Sequence, residues 1–162
     1  MELLDKITRF LNQLLIWIAG IFLVGMIAIT CANIFLRVVW IPIKGVFELM
    51  GFFGAITTAF ALGYTQIKRG HIAVDVLVNR FSARTRSVLN GINYFICMIF
   101  FAVAGWQMSV WAATLCRTGE LTETLRIIFY PFTYAVAFGC FVLTLVLLVD
   151  FLKLLINGKG AE

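Results

Sequence analysis

Four long stretches of the chain carry no charged residue: Phe10 to Leu36, Leu49 to Ile67, Ser87 to Cys116 and Ile127 to Val149. Each comes to about 20 residues or more, the length a helix needs to cross ~30 Å of hydrocarbon. Backbone groups in lipid must bond within their own segment, so all four runs are expected to be helices. The strict alternation of barrel strands is absent. The pattern predicts an all-α integral membrane protein, a single four-helix domain over residues 1–162. Its spans are expected at about 12–36, 47–67, 88–115 and 127–152.

The segments between the runs are short. The stretch MELLDKITRFLNQLL places Leu3, Leu4, Ile7, Leu11, Leu14 and Leu15 at helical spacing, with Asp5, Lys6 and Arg9 between them. This predicts an amphipathic lead-in at the membrane surface, either continuous with the first span or kinked from it. The first run is too long for a signal-peptide core and no A-x-A site follows it, so cleavage is not expected. In the middle loop, 68–86, Ile72, Val76, Leu77 and Phe81 share a helical face, which suggests a second interfacial helix. The other two loops, about 37–47 and 117–126, are too short to hold a domain.

Composition agrees: the chain is 62% hydrophobic and only 13% charged. A soluble domain carries about 25% charge. The net charge of +5 does not point to nucleic acid, because the basic residues sit in the gaps between apolar runs. Nine of the thirteen Lys and Arg residues fall on the side of the termini and the middle loop, and four on the other. The positive-inside rule therefore expects both termini in the cytoplasm.

The spans hold little chemistry. Transport pathways and proton relays usually carry ionisable residues at depth, yet every charged side chain here lies at or beyond a span end. Pro42 falls in a loop and Pro131 in the first turns of the fourth span, so no span is broken midway. One histidine, His71, cannot supply paired haem ligands. Cys31, Cys97, Cys116 and Cys140 are far apart, which leaves a Cys31–Cys116 pair open but offers no metal or redox motif. We expect no enzyme activity, no cofactor and no metal. Asn33, Thr57, Thr58, Asn93 and Gln107 are polar residues within the spans; they either line a path or bond across helix interfaces.

Packing surfaces are better marked. Gly51, Ala55, Ala59 and Gly63 recur every four residues, and Gly105, Ser109 and Ala113 repeat that spacing in the third span. Such stripes let helices approach closely. They do not say whether the partner helix belongs to this chain.

The stretch NIFLRVVWIPIKGVFELMGFFGAITTAFALGYTQIKRGHIAVDVL resembles the small membrane subunit of tripartite ATP-independent periplasmic (TRAP) transporters, the DctQ type. The residues that carry the likeness are Asn33, Phe35 and Arg37 at the exit of the first helix, then Glu48 and Leu49 opening the second. Gly70, His71, Ile72, Val74 and Asp75 follow it. The resemblance implies a subunit that pairs with a large multi-span membrane subunit holding the substrate and sodium sites. A periplasmic binding protein would deliver an organic acid. The small subunit would brace the scaffold of the large one in the bacterial inner membrane, without a substrate site of its own. Two other classes remain: a self-sufficient oligomeric carrier or channel, which would want a buried charge, and an accessory subunit of an unrelated complex.

Individual residues follow from that frame. Arg37 and Glu48 flank the first short loop as helix-end charges, as an ion pair closing it, or as part of a docking rim with Lys44, Arg117, Glu120, Glu123 and Arg126. Lys68, Arg69, Arg84 and Arg86 are expected to anchor the topology and contact lipid phosphates. Gly70 is expected to cap the second helix, and His71 and Asp75, four residues apart, to bond on an interfacial helix.

Overall fold

The computed structural model describes residues 2–68 and 83–158. They form four helices: α1 (Glu2–Val39), α2 (Val46–Ile67), α3 (Ala83–Thr118) and α4 (Tyr130–Gly158). All four are long and apolar enough to cross a membrane. The expected interfacial helix, with Arg69, Gly70, His71, Asp75 and Arg80, lies outside the described residues. So do the side chains of Arg84 and Arg86, which stand in the first turn of α3.

The lead-in and the first span are one continuous helix of 38 residues. Its apolar residues at Leu3, Leu4, Ile7 and Leu14 stay exposed, while Thr8, Asn12, Leu15 and Ala19 are buried. Those four recur at three- and four-residue intervals, so the face turned inward begins with polar residues. The fourth helix starts at Tyr130, three residues after its apolar run begins. Thr122 and Ile127 are joined by a backbone hydrogen bond of 2.9 Å, and Leu121 and Ile128 by an isolated bridge, which hold that segment in a turn. Pro131 then falls in the first turn, where its missing N–H is tolerated.

The helices form an open row. The order is α1, α2, α4, α3, with each packed on its neighbour in that order and α1 meeting α4 only slightly. Accordingly α4 is the most buried helix, and α1 and α3 at the flanks are mostly exposed. Leu15 and Ala19 of α1, Ile56, Ala59 and Phe60 of α2, and Val142 of α4 make one core. Rings seal it at intervals: Phe22 meets Phe53 edge-on at 5.0 Å, and Phe52 stacks on Phe132 at 4.2 Å. At the other seam Ala112 and Leu115 of α3 are buried, and Gly105 is faced by Cys140 and Phe141 of α4.

The backbones of α2 and α4 approach closely. A Cβ placed on Gly139 would lie 2.7 Å from the Ala59 carbonyl oxygen and 2.9 Å from its Cβ. The small-residue stripe of α2 is thereby divided. Ala59 and Gly63 are buried inside the chain, but Gly51 and Ala55 are exposed, and a Cβ at Gly51 would meet nothing within 4 Å.

Candidate functional site

The site is sought where polar groups gather. Among the described residues no group of three His, Cys, Asp or Glu side chains could hold a metal ion. The four thiols are free, Cys140 buried and Cys31 and Cys116 exposed. Two features stand out: a rim formed by the two short loops, and the outward faces of the helices.

The rim is built around Glu48, in the first turn of α2. Its two carboxylate oxygens accept hydrogen bonds from the backbone N–H groups of Thr124 (2.7 Å) and Leu125 (3.0 Å) in the other loop. One acidic side chain therefore ties the α1–α2 loop end to the α3–α4 loop. The carboxylate is engaged by amides 76 and 77 residues away, and Arg37 stands exposed. Bidentate acceptance from consecutive amides is a charge-assisted contact, stronger than one between neutral groups.

Local backbone chemistry supports the clamp. Gly45, just before α2, has φ 74°, and a Cβ there would collide with the Leu125 side chain. Glycine meets both demands at once. Arg126 also adopts a positive φ of 52°, held by its N–H donating to the Thr122 carbonyl at 3.2 Å. The Thr122 hydroxyl accepts from the Ile127 N–H at 3.0 Å. On the first loop, the Asn33 side-chain oxygen accepts from the Ile43 N–H at 3.0 Å, which folds the loop back on α1. The Lys44, Arg117, Glu120, Glu123 and Arg126 side chains are exposed around this rim.

The polar residues inside the spans divide into two groups. Thr57 donates to the Ala19 carbonyl across the α1–α2 seam at 3.5 Å, and Thr30 donates to the Met50 sulfur at 3.3 Å. Ser109 donates to the carbonyl of Gly105 in its own helix at 2.8 Å, and Ala113 lies half-buried one turn on. In contrast Asn93, Gln107 and Thr58 face outward. On α3, Asn93, Phe100, Gln107 and Thr114 recur every seven residues and are all exposed. That is one stripe along the helix, drifting about 20° per repeat.

Sequence reasoning missed several residues at the end that holds the termini. Asn12 is 1% exposed; its side-chain nitrogen donates to the Thr8 carbonyl at 2.8 Å, and its oxygen is buried without a partner. That oxygen lies against Gly63, where a Cβ would collide with it. Gln66 of α2 donates to Asp150 of α4 at 3.3 Å. A signal was present: Thr8 and Asn12 stand on the same face as Leu15 and Ala19. Lys68, a predicted anchor, is exposed with its ammonium 5.8 Å from the Tyr64 ring centre.

One family model matches the chain, that of the tripartite ATP-independent periplasmic transporters, DctQ component, over residues 26–157. No curated protein and no solved structure matches it.

Proposed function

Since this chain belongs to the DctQ family of TRAP transporter membrane components, we propose that it is the non-catalytic small subunit of an organic-acid uptake system. In this reading it braces the scaffold of a large multi-span subunit in the inner membrane. The large subunit carries the substrate and couples it to an ion, sodium by family expectation. Both termini face the cytoplasm, so the Glu48 rim faces the periplasm.

The observation that carries the bracing role is the polar stripe on α3. An amide facing hydrocarbon without a hydrogen-bond partner is costly, by about 1–3 kcal/mol on protein scales. Gln107 is therefore best explained as bonding to a helix of another polypeptide; Asn93, whose Oδ1 accepts from the Cys97 thiol of its own helix at 3.6 Å, lies on the same exposed face. The remaining surface suits the same role: α1 and α3 expose large apolar faces, and the charged side chains keep to the ends.

The test is co-purification. Gln107→Leu and Asn93→Leu together should leave the isolated chain folded and reduce capture of the large subunit severalfold. Undiminished capture would remove α3 as the bracing face. The rim serves docking of the periplasmic binding protein in this proposal. Charge reversal at Arg37 or Arg117 should lower uptake without lowering complex yield; unchanged uptake would count against docking there.

A further inference from the structure

The four charge-free runs are not centred at one level, and the contacts between helices show by how much they differ. Ala59 of α2 faces Gly139 of α4, so the middles of their runs, Thr58 and Phe138, are level. Between α1 and α2, Thr57 reaches Ala19 and Phe53 meets Phe22, which sets Ile18 level with Thr58. The middle of the α1 run is Leu23, about 8 Å nearer the rim. Between α3 and α4, Gly105 faces Cys140 and Phe95 meets Phe151 at 5.9 Å, which sets Gln107 level with Phe138. The middle of the α3 run falls at Phe101 and Ala102, about 8 Å nearer the end that holds the termini.

The two flank helices therefore overshoot in opposite directions. At the rim, Asn33 bonds the Ile43 N–H, so the last turns of α1 stand beyond the start of α2. Ile34, Phe35, Val38, Val39 and Trp40 are exposed there. At the other end, α3 carries exposed Val88, Leu89 and Ile92 past the level at which α2 finishes. An upright row would lift both apolar sets out of the hydrocarbon. A lean along the row returns them to it. The flank helices are three interaxial steps of 8–10 Å apart, about 27 Å, and their runs are offset by about 16 Å, which corresponds to roughly 30°.

We propose that the four helices cross the bilayer together at a tilt of roughly 30°, leaning in the plane of the row. The α1 tip and the α3 base are then both lipid-contact surfaces, at opposite faces of the membrane. Run length agrees. The α1 and α3 runs hold 27 and 30 residues, against 19 and 23 in α2 and α4, and a stretch longer than the hydrocarbon is thick is accommodated by tilting.

Two native thiols report the lean with opposite signs. Cys31 of α1 and Cys116 of α3 are free and exposed. In an upright row Cys31 stands about 20 Å from the midplane, outside the hydrocarbon, and Cys116 about 13 Å, inside it. In the leaning row Cys31 stands at about 10 Å and Cys116 at about 19 Å, so the order inverts. The full wild-type chain in phosphatidylcholine nanodiscs is treated with a charged maleimide, and each cysteine is read by peptide mass spectrometry, with rates normalised to those in sodium dodecyl sulfate. A thiol reacts as its thiolate, which an apolar surrounding suppresses, so Cys116 should be labelled at least about tenfold faster than Cys31. Equal rates would overturn the lean. Faster labelling of Cys31 would also overturn it, and would leave the α1 tip for a partner in the aqueous phase. Polarised infrared spectroscopy of the chain in oriented bilayers reads the same geometry without the thiols. The mean helix tilt should be roughly 30°, and a mean below about 15° would refute the proposal.

Discussion

Gly139→Ala is the substitution that most directly probes how the row of helices is held. The added methyl would lie 2.7 Å from the Ala59 oxygen and 2.9 Å from both its carbonyl carbon and its Cβ. Carbon atoms in good contact stand about 3.5–4.0 Å apart. Two of those three atoms are α2 backbone, so no rotamer change relieves the overlap, and α2 and α4 must separate by roughly 0.5–1 Å. A gap of that size forfeits about a quarter to a half of each contact across the seam, including the Phe52–Phe132 stack. Overpacking of this kind costs about 1–3 kcal/mol. Alanine recovers about 0.5–1 kcal/mol of helix propensity over glycine. The net loss should be about 1 kcal/mol, and Gly139→Leu should lose more. Gly51→Ala is the control, because a Cβ there meets nothing; it should be neutral or slightly stabilising in the isolated chain. Equilibrium unfolding of the purified chain in mixed micelles measures both. If Gly139→Ala proved as stable as Gly51→Ala, the close α2–α4 approach would be wrong.

Three further outcomes follow from other contacts. Gly63→Ala should destabilise by about 1–3 kcal/mol because its methyl meets the buried Asn12 amide; in an Asn12→Ala background the cost should shrink below about 0.5 kcal/mol, a coupling read from a double-mutant cycle. Glu48→Gln puts an amide N–H₂ against a backbone N–H of Thr124 or Leu125, so the α3–α4 loop should become more susceptible to limited proteolysis, whereas Arg37→Gln should not change cleavage. Gly45→Ala should open the same loop through its positive φ and its clash with Leu125, and Leu125→Ala should restore part of the protection.

Much of the fold was legible because apolar run length is a direct consequence of the membrane as solvent. The four helices, the short loops and the absence of mid-span charge all followed from it. Pairing was not legible. The stripe Gly51, Ala55, Ala59, Gly63 looks uniform in sequence, yet only its second half meets another helix of this chain. What decides that is Gly139 on α4 and Asn12 on α1, which periodicity within α2 cannot reveal. Glu48 was singled out, but its partners are backbone amides in a distant loop, which carry no sequence signature. Asn12 and Asp150 were overlooked because each sits where an apolar run meets charged residues and reads as ordinary helix-end polarity. The burial of Asn12 and the Gln66–Asp150 bond arise only when α1, α2 and α4 converge. His71 and Asp75, the most conspicuous polar pair in the sequence, lie outside the described residues; their predicted bond remains a proposal for mutagenesis, with His71→Ala expected to reduce assembly more than transport per assembled complex.

The central claim is that this subunit supports transport without performing it. Reconstitution into proteoliposomes under a sodium gradient tests that directly, with uptake of radiolabelled organic acid as the readout. The account predicts no uptake above empty liposomes by this chain alone, and uptake when the large subunit and the binding protein are added. Accumulation of the acid by liposomes holding only this chain would contradict it.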